Sequence, residues 1–230
     1  MILMTAVLIF LFGSSIASFL TLAAERMSAG RSIIRPASCC NHCKRPLSWQ
    51  QKIPCFSYLL SRGACRFCRV EIPARYFWLE LFGGFWALFC LLHWGADLWE
   101  ALLFFWLGIG ALLLSLEDLK DCTVPAAFLA LILFVTMILS LGRFFILGPL
   151  LFLNLFFIFA VWQSRSLGEA DFYLLLTWSA VLGARELAKI LLIACLCGII
   201  PALRQGKETP LPFIPCLSAG LFYSLVFSSI

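Results

Sequence analysis

The chain has 230 residues and a net charge of +5, and its composition excludes a water-soluble globular protein. Hydrophobic residues make up 63% of it, charged residues only 13%, and its mean hydropathy is +1.00. Soluble domains average about 45–50% apolar and about 25% charged residues, and a chain of this size has too much surface for its volume to bury the excess. The composition therefore predicts a multi-pass membrane protein and excludes a soluble enzyme, a disordered tail and an ordinary nucleic-acid-binding domain.

The first apolar run covers residues 2–24, and a run of about 20 apolar residues is long enough to cross a bilayer core. Basic residues follow this run, at Arg26, Arg31 and Arg35, instead of preceding it. That order is the reverse of the order in a cleavable signal peptide. We predict a retained first transmembrane helix with its N-terminus outside, and a signal peptide is the alternative.

Residues 25–75 form a polar insert with an unusual content of charge and cysteine. The insert holds ten Lys and Arg against two acidic residues, and it holds six of the 11 cysteines. The pairs Cys40-x2-Cys43 and Cys65-x2-Cys68 are separated by 21 residues. Four thiolates on two tight turns provide a closed tetrahedral site, and the spacing is close to that of a zinc ribbon. We predict one structural Zn²⁺ ion bound by these four cysteines.

Other residues of the insert offer alternative interpretations. Cys39 could replace Cys40 as the first ligand, although only Cys40 keeps the two-residue spacing. His42 could bind metal in principle, but four cysteines already fill the site, and Cys55 is expected to be a bystander. The basic residues around the pairs are expected to rest on anionic lipid headgroups. Nucleic acid would use the same charges, but no aromatic stacking platform accompanies them, so no nucleic-acid partner is predicted.

Seven further apolar runs follow the insert and predict an all-α polytopic fold with about eight transmembrane helices. They cover residues 76–94, 101–116, 123–141, 144–162, 172–184, 187–203 and 211–230. With the N-terminus outside, 14 Lys and Arg lie on the inner segments and three on the outer ones. Because cytoplasmic loops carry an excess of basic residues, the insert is predicted to be cytoplasmic. The predicted domains are the first helix at 1–24, the zinc-binding insert at 25–75 and a seven-helix body at 76–230.

Two aspartates are predicted to lie inside the membrane boundary at the same depth. The run at 172–184 has only 13 residues and rises about 20 Å. A helix long enough to span, ending near Arg185, would begin near Ser166 and include Asp171. The same count of about 20 residues brings Asp118 into the inner end of the third span. A carboxylate immersed at that depth is costly unless it faces water or a partner, so both aspartates are functional candidates.

Two carboxyls at one depth suggest an aspartic dyad. The two groups would share a proton, so that one acts as a base on water and the other as an acid on the scissile amide. Asp118 alone could also be an ordinary helix-end acid, and Asp121 is the better candidate for a solvated loop residue. Glu80 is expected either to line the same cavity or to pair with Arg75.

The motifs along nearly the whole chain resemble those of the type IV prepilin peptidases, in the same order. In the first half they are Ser18-Phe19-Leu20, Arg26, the two C-x2-C pairs, Ile53-Pro54, Ser57-Tyr58-Leu59, Arg62-Gly63, and Arg75-Tyr76 with Glu80. In the second half they are Asp118-Leu119 with Pro125, Gly168-x-x-Asp171-Phe172, and Pro212-Phe213 with Pro215.

That resemblance implies an intramembrane aspartyl protease of the GxGD type, with catalytic residues at Asp118 and Asp171. Members cleave the short basic leader of prepilin or pseudopilin precursors at the cytoplasmic face of the bacterial inner (plasma) membrane. They serve a pilus, secretion or competence apparatus. Many members also N-methylate the new N-terminus with S-adenosylmethionine, an implied cofactor to which we assign no residues here.

Three positions depart from the family pattern. The second glycine of GxGD is Ala170, the Lys common two residues after the aspartate is Tyr173, and the Asp usual after the proline is Ala126. Alanine for glycine is a small change where the backbone is not left-handed, so the peptidase interpretation is favoured. The alternative is a non-enzymatic scaffold of such an apparatus, docking partners through its zinc insert. A transporter would need a repeat symmetry that the chain lacks.

Overall fold

The chain is all-helical in the computed structural model, which describes residues 2–34, 38–40, 42–141, 149, 153, 168–204 and 212–227. Its helices are α1 (Ile2–Ser28), a 3-10 turn (Trp49–Lys52), α2 (Phe56–Ser61), α3 (Ala74–Trp94), α4 (Leu98–Asp121), α5 (Ala126–Leu139), α6 (Glu169–Leu182), α7 (Ala184–Arg204) and α8 (Ile214–Phe227). The β pairing in these ranges consists of two isolated bridges inside the insert. The predicted all-α fold class is confirmed.

Helices occupy seven of the eight predicted spans. The remaining run, at 144–162, lies outside the described residues apart from Pro149 and Leu153. Within the described ranges, three helices are long and apolar enough to cross a membrane: Leu3–Ser28, Ala74–Trp94 and Leu98–Lys120. Helices α5 and α8 are apolar but shorter, with 14 residues each. Length and composition therefore make the chain a helical membrane protein.

The helix that carries Asp171 is shorter than predicted. Helix α6 has 14 residues and begins at Glu169, after Gly168, whose ψ angle of 148° is extended. The predicted start near Ser166 is therefore wrong, because the helical conformation does not continue back through Gly168. Asp171 lies in the first turn of this helix instead of a full turn inside it.

The chain divides into two compact units, Met1–Phe105 and Trp106–Ile230. The boundary falls within α4, so that the insert, α1 and α3 belong to the first unit. The second unit contains the end of α4 together with α5 to α8. The division into a first helix, an insert and a seven-helix body, with boundaries after residues 24 and 75, stays a prediction, because the division into two compact units does not test it.

In the first unit, α1 and α3 pack closely because small residues face one another. A Cβ atom added to Gly83 would lie 2.5 Å from the Cβ of Ala17, and one added to Gly13 would meet the carbonyl oxygen of Gly83. Small residues at a helix interface let two backbones approach within a membrane, where lipid removes the hydrophobic drive for association. Beside them, Phe10 and Phe85 make an edge contact with ring centroids 5.3 Å apart.

In the second unit, apolar side chains of four helices form a tightly buried core. Its fully buried members include Phe128 of α5, Leu174 of α6, Ile190 of α7, and Leu217 and Leu221 of α8. The indole N–H of Trp106 in α4 donates to the carbonyl oxygen of Ile132 in α5 at 3.2 Å. This core fixes the helix ends that carry the acidic residues described next.

Candidate active site and metal centre

The four predicted metal ligands converge in the insert. The Sγ atoms of Cys40, Cys43, Cys65 and Cys68 all lie within 4.8 Å of one another, and those of Cys40 and Cys68 are 3.8 Å apart. Sulfur atoms bound at about 2.3 Å to a tetrahedral ion lie roughly 3.8 Å from one another. The cluster can therefore hold a metal ion of that size and geometry.

Two copies of the same turn present the four sulfur atoms. The backbone N–H of Cys40 donates to the carbonyl of Arg45 at 3.0 Å, and that of Cys65 donates to Val70 at 2.9 Å. In both turns the residue after the second cysteine has a left-handed backbone. The repeated geometry makes Cys40, not Cys39, the counterpart of Cys65.

Backbone amides favour the thiolate form of two of these cysteines. The N–H of Cys68 is the main cause that lowers the pKa of the Cys65 thiol to about 6, from an ordinary value of 9.0. The N–H groups of Cys43 and His42 lower the pKa of Cys40 in the same way. The thiolate is the form that binds metal. His42 therefore supports the cluster through its backbone.

Glu80 joins the insert to the first helix. One carboxylate oxygen accepts a hydrogen bond from the Ser18 hydroxyl at 2.7 Å, and the other accepts one from the backbone N–H of Cys55 at 2.7 Å. The predicted pairing of Glu80 with Arg75 is wrong, because Arg75 forms an ion pair with Glu25 at 2.9 Å. The partly buried carboxylate is thus satisfied by one hydroxyl and one amide.

Cys55 has a structural role that the sequence did not indicate. It is buried, its φ angle is 59°, and it directly precedes α2. Burial raises the pKa of its thiol, so the side chain stays protonated at neutral pH. Cys55 lies outside the metal cluster, but its backbone N–H anchors the insert through Glu80.

Three further family-motif residues connect α1 with α3 and with the chain that follows α1. The hydroxyl of Tyr76 donates to Glu25, whose two carboxylate oxygens lie 2.9 and 2.8 Å away. Arg75 donates to the same carboxylate. The buried guanidinium of Arg26 donates to the carbonyl of Ile33 at 2.8 Å. These motif residues therefore hold the first unit together.

Asp118 lies in the last turn of α4 and is only 6% exposed. Its Oδ2 atom accepts a hydrogen bond at 3.1 Å from the backbone N–H of Ile214, the first residue of α8. The backbone N–H of Phe213 lies beside the same carboxylate. The N-terminus of a helix carries unpaired N–H groups and the positive end of the helix dipole. Asp118 is therefore held by a second helix, unlike an ordinary solvated acid at a helix end.

Asp171 lies in the first turn of α6 and is 9% exposed. Its carboxylate lies beside the backbone N–H of Gly168, the N-cap residue of the helix. A Cβ atom at residue 168 would lie 3.0 Å from Oδ2 of Asp171, so glycine leaves room for this carboxylate. The two aspartates lie within electrostatic range, and the charge of Asp118 acts on Asp171.

The structure accounts for one departure from the family pattern and locates the others. Ala170 is the second residue of α6, a helical position where alanine is favoured over glycine by about 0.5–1 kcal/mol. Tyr173 is exposed, and Ala126 is the first residue of α5. Asp121 is the last residue of α4.

Sequence reasoning missed two buried serines close to Asp118. The Oγ atoms of Ser115 in α4 and Ser218 in α8 lie 2.6 Å apart, and both hydroxyls also reach the carbonyl of Ala111. The signal that could have found them is spacing. Ser115 precedes Asp118 by three residues and Ser218 follows Ile214 by four, so each serine lies one helical turn away on the same face.

Comparison with known proteins identifies relatives over most of the chain. Residues 11–94 match the family described as Bacterial Peptidase A24 N-terminal domain. The prepilin leader peptidase/N-methyltransferase of Myxococcus xanthus is 31% identical over 219 residues, which cover 89% of this chain and 65% of that protein. The Burkholderia pseudomallei (strain 1026b) enzyme of the same name is 30% identical over 222 residues, which cover 89% of this chain and 72% of that protein.

A differently named relative gives the same result. The type 4 prepilin-like proteins leader peptide-processing enzyme of Escherichia coli O78:H11 is 30% identical over 202 residues, covering 82% of this chain and 75% of that protein. No solved structure matches the chain. The chain thus spans less than two thirds of the Myxococcus relative and about three quarters of the Escherichia one. Identity of this level over most of its length shows that the chain belongs to the prepilin leader peptidase/N-methyltransferase family.

Proposed function

We propose that the protein is an intramembrane aspartyl endopeptidase that removes the short basic leader from prepilin or pseudopilin precursors. The observation that carries this proposal is the pair of buried carboxylates, Asp118 and Asp171, whose charges interact within the second unit. Each lies at a helix end and is held by backbone N–H groups. The names of the relatives support a leader peptide as the substrate.

The chemistry follows from two carboxyl groups that act as one unit. Neighbouring carboxyls do not both ionise easily, so one proton is shared between Asp118 and Asp171. The ionised group accepts a proton from water as the water oxygen attacks the amide carbon, and the protonated group acts as the acid. Burial strengthens these interactions because less water screens the charges.

The proposed site of cleavage is the cytoplasmic face of the bacterial inner membrane. The supporting observation is the distribution of Lys and Arg, with 14 on the segments that would be inside and three on those outside. In this orientation the N-terminus is outside and the insert is cytoplasmic. A substrate helix with a basic leader retained inside would then meet the acidic pair at one interface.

The proposed metal in the insert is a structural Zn²⁺ ion. Four sulfur ligands leave no open position for a substrate, so the ion would fix the two cysteine turns without taking part in hydrolysis. N-methylation of the new N-terminus is a second proposed activity, supported by the names of the relatives. S-adenosylmethionine would supply the methyl group.

The proposal is tested with purified protein in lipid nanodiscs and a single-span precursor that carries a basic leader. Mass spectrometry of the product measures the new N-terminus and the cleavage rate. The expected result is leader removal by the wild type and loss of it in Asp171→Asn. Glu169→Gln is the matched control, because Glu169 is exposed in the same turn of α6. Cleavage by Asp171→Asn near the wild-type rate would contradict the proposal.

A further inference from the structure

The two carboxylates of the pair have different surroundings. Asp118 accepts a hydrogen bond at 3.1 Å from the backbone N–H of Ile214 at the N-terminus of α8, and the N–H of Phe213 lies beside the same carboxylate. Asp171 lies beside one backbone N–H, that of the N-cap residue of its own helix. Backbone N–H donors and the positive end of a helix dipole both favour a negatively charged carboxylate. The surroundings therefore favour the ionised form at Asp118 more than at Asp171.

Among the residues that the structure describes, the titratable groups near Asp118 lie on α4, α6 and α8. Asp171 on α6 adds a negative charge, and that effect is mutual within the pair. Cys216 on α8 is a thiol that lies within electrostatic range of Asp118. On α4 itself, the buried carboxylate of Glu117 forms an ion pair with Lys120.

The contact between Asp118 and α8 depends on how α8 sits against α4, and a buried hydroxyl pair links these two helices. Ser115 and Ser218 have Oγ atoms 2.6 Å apart. The carbonyl oxygen of Ala111 lies 2.7 Å from the first and 3.0 Å from the second. Both serines are almost fully buried, and Ser218→Ala would remove both hydroxyl contacts between α8 and α4 while Ser115 keeps its bond to the carbonyl of Ala111.

The hydroxyl pair lies one helical turn from the carboxylate on both helices. Ser115 precedes Asp118 by three residues, and Ser218 follows Ile214 by four. Pro215 has no backbone N–H, so Ile214 and Phe213 are the donors that this end of α8 directs to Asp118. A small shift of α8 along α4 would therefore lengthen the contact of 3.1 Å between Ile214 N and Asp118 Oδ2.

We infer that Ser115 and Ser218 are positioning residues that hold the N-terminus of α8 against Asp118, so that Asp118 is the base of the pair and Asp171 the acid. This assignment rests on the peptidase function proposed above and adds a role for each carboxyl. The serines act through α8 and touch neither water nor substrate in the reaction.

The assignment gives a balanced path for each proton. Asp118 accepts a proton from water as the water oxygen bonds to the carbonyl carbon, and Asp171 gives its proton to the carbonyl oxygen. When the C–N bond of this intermediate breaks, Asp118 passes its proton to the departing nitrogen. Asp171 then takes a proton from one hydroxyl of the intermediate, and both carboxyls return to their starting state.

The test is the pH profile of kcat/KM for leader cleavage by full-length Ser218→Ala in nanodiscs. Protonation of the base limits the rate on the acidic side of the profile. If the contact with Ile214 is weakened, Asp118 is protonated at a higher pH, and the acidic limb should move upward by about half a pH unit or more. Ser224→Ala is the matched control, since Ser224 is also buried in α8 but bonds to Glu186.

Each outcome separates this inference from the proposed function. An acidic limb that moves upward in Ser218→Ala and not in Ser224→Ala supports the inference. Equal profiles for the two variants, or a downward shift, would overturn it while leaving cleavage and its loss in Asp171→Asn intact. If Ser218→Ala does not fold, Ser115→Ala removes one of the two hydroxyl contacts between the helices, and a smaller shift in the same direction is expected because Ser218 keeps its bond to Ala111. Absence of cleavage by the wild type would instead refute the proposed function.

Discussion

At Gly168, the absence of a single Cβ atom leaves space for the carboxylate of Asp171. A Cβ there would lie 3.0 Å from Oδ2, which is closer than most real Cβ contacts. The φ and ψ angles of Gly168, −66° and 148°, are accessible to alanine, so a substitution would act through the contact and not through backbone strain. The need for glycine at the first position of the GxGD pattern, Gly168, is therefore explained by the space that the Asp171 carboxylate occupies.

Gly168→Ala should lower the rate of leader cleavage by about tenfold, equivalent to about 1.4 kcal/mol in the activation free energy. The cause is displacement of the Asp171 carboxylate by the added methyl group. Ala170→Gly, which restores the second glycine of the pattern, should leave the rate within about twofold and destabilise α6 by about 0.5–1 kcal/mol. Cleavage rates and thermal unfolding of both variants measure these effects. Equal rates for Gly168→Ala and wild type would refute the steric explanation.

Residues whose partners are distant in the chain could not be assigned from the sequence. Asp118 and Asp171 could be proposed from the length of apolar runs and from motif spacing. Glu80 could not, because its partners Ser18 and Cys55 are 62 and 25 residues away, and one of them contributes a backbone N–H. The periodicity of side chains along the sequence carries no information about where a distant backbone N–H group lies in the fold.

At the scale of elements, the insert was predictable and the start of α6 was not. Two C-x2-C pairs require two tight turns, and the structure repeats one turn twice around four converging sulfurs. The prediction for α6 assumed that every span has about 20 residues, whereas the extended backbone of Gly168 makes the helix begin at Glu169. Local capping therefore overrides the length argument at this helix.

The purified protein should contain one zinc ion per chain, and Cys43→Ser or Cys68→Ser should release it and expose the insert to proteases. Metal binding and folding of such a small site are coupled, so losing one ligand destabilises both. Cys39→Ser is the matched control outside the cluster. Metal analysis and limited proteolysis provide the measurements. Zinc retained in Cys68→Ser at the wild-type level would contradict the four-sulfur site.

Zinc retention should also depend on pH in a definite direction. Zinc binds the four sulfurs as thiolates, and protons compete with the metal for each of them. As the pH falls, this competition grows, and zinc should be lost on dialysis at acidic pH. Metal content measured after dialysis between pH 7.5 and 5 tests this. Retention that improves on acidification would contradict thiolate ligation.

At the scale of the whole molecule, the distribution of basic residues predicts how the chain crosses the membrane. Reporter fusions after Arg69 and Arg204 should report the cytoplasm, and those after Gly95 and Arg143 should report the outside. The expected pattern follows from the 14 basic residues on inner segments against three on outer ones. Activity of phosphatase and fluorescent reporters measures each location. A cytoplasmic location for Gly95 would reverse the orientation of α3 and α4.

The central claim, that Asp118 and Asp171 work as one pair, is tested most directly by a double-mutant cycle of cleavage rates. Asp118→Asn and Asp171→Asn should each reduce kcat/KM by about 10²–10⁴-fold, because each removes a group that must exchange a proton. Groups that act as a unit are strongly non-additive, so the double variant should be no slower than either single one. The account would be contradicted if each single variant kept substantial cleavage and the fold loss of kcat/KM in the double variant equalled the product of the two single losses.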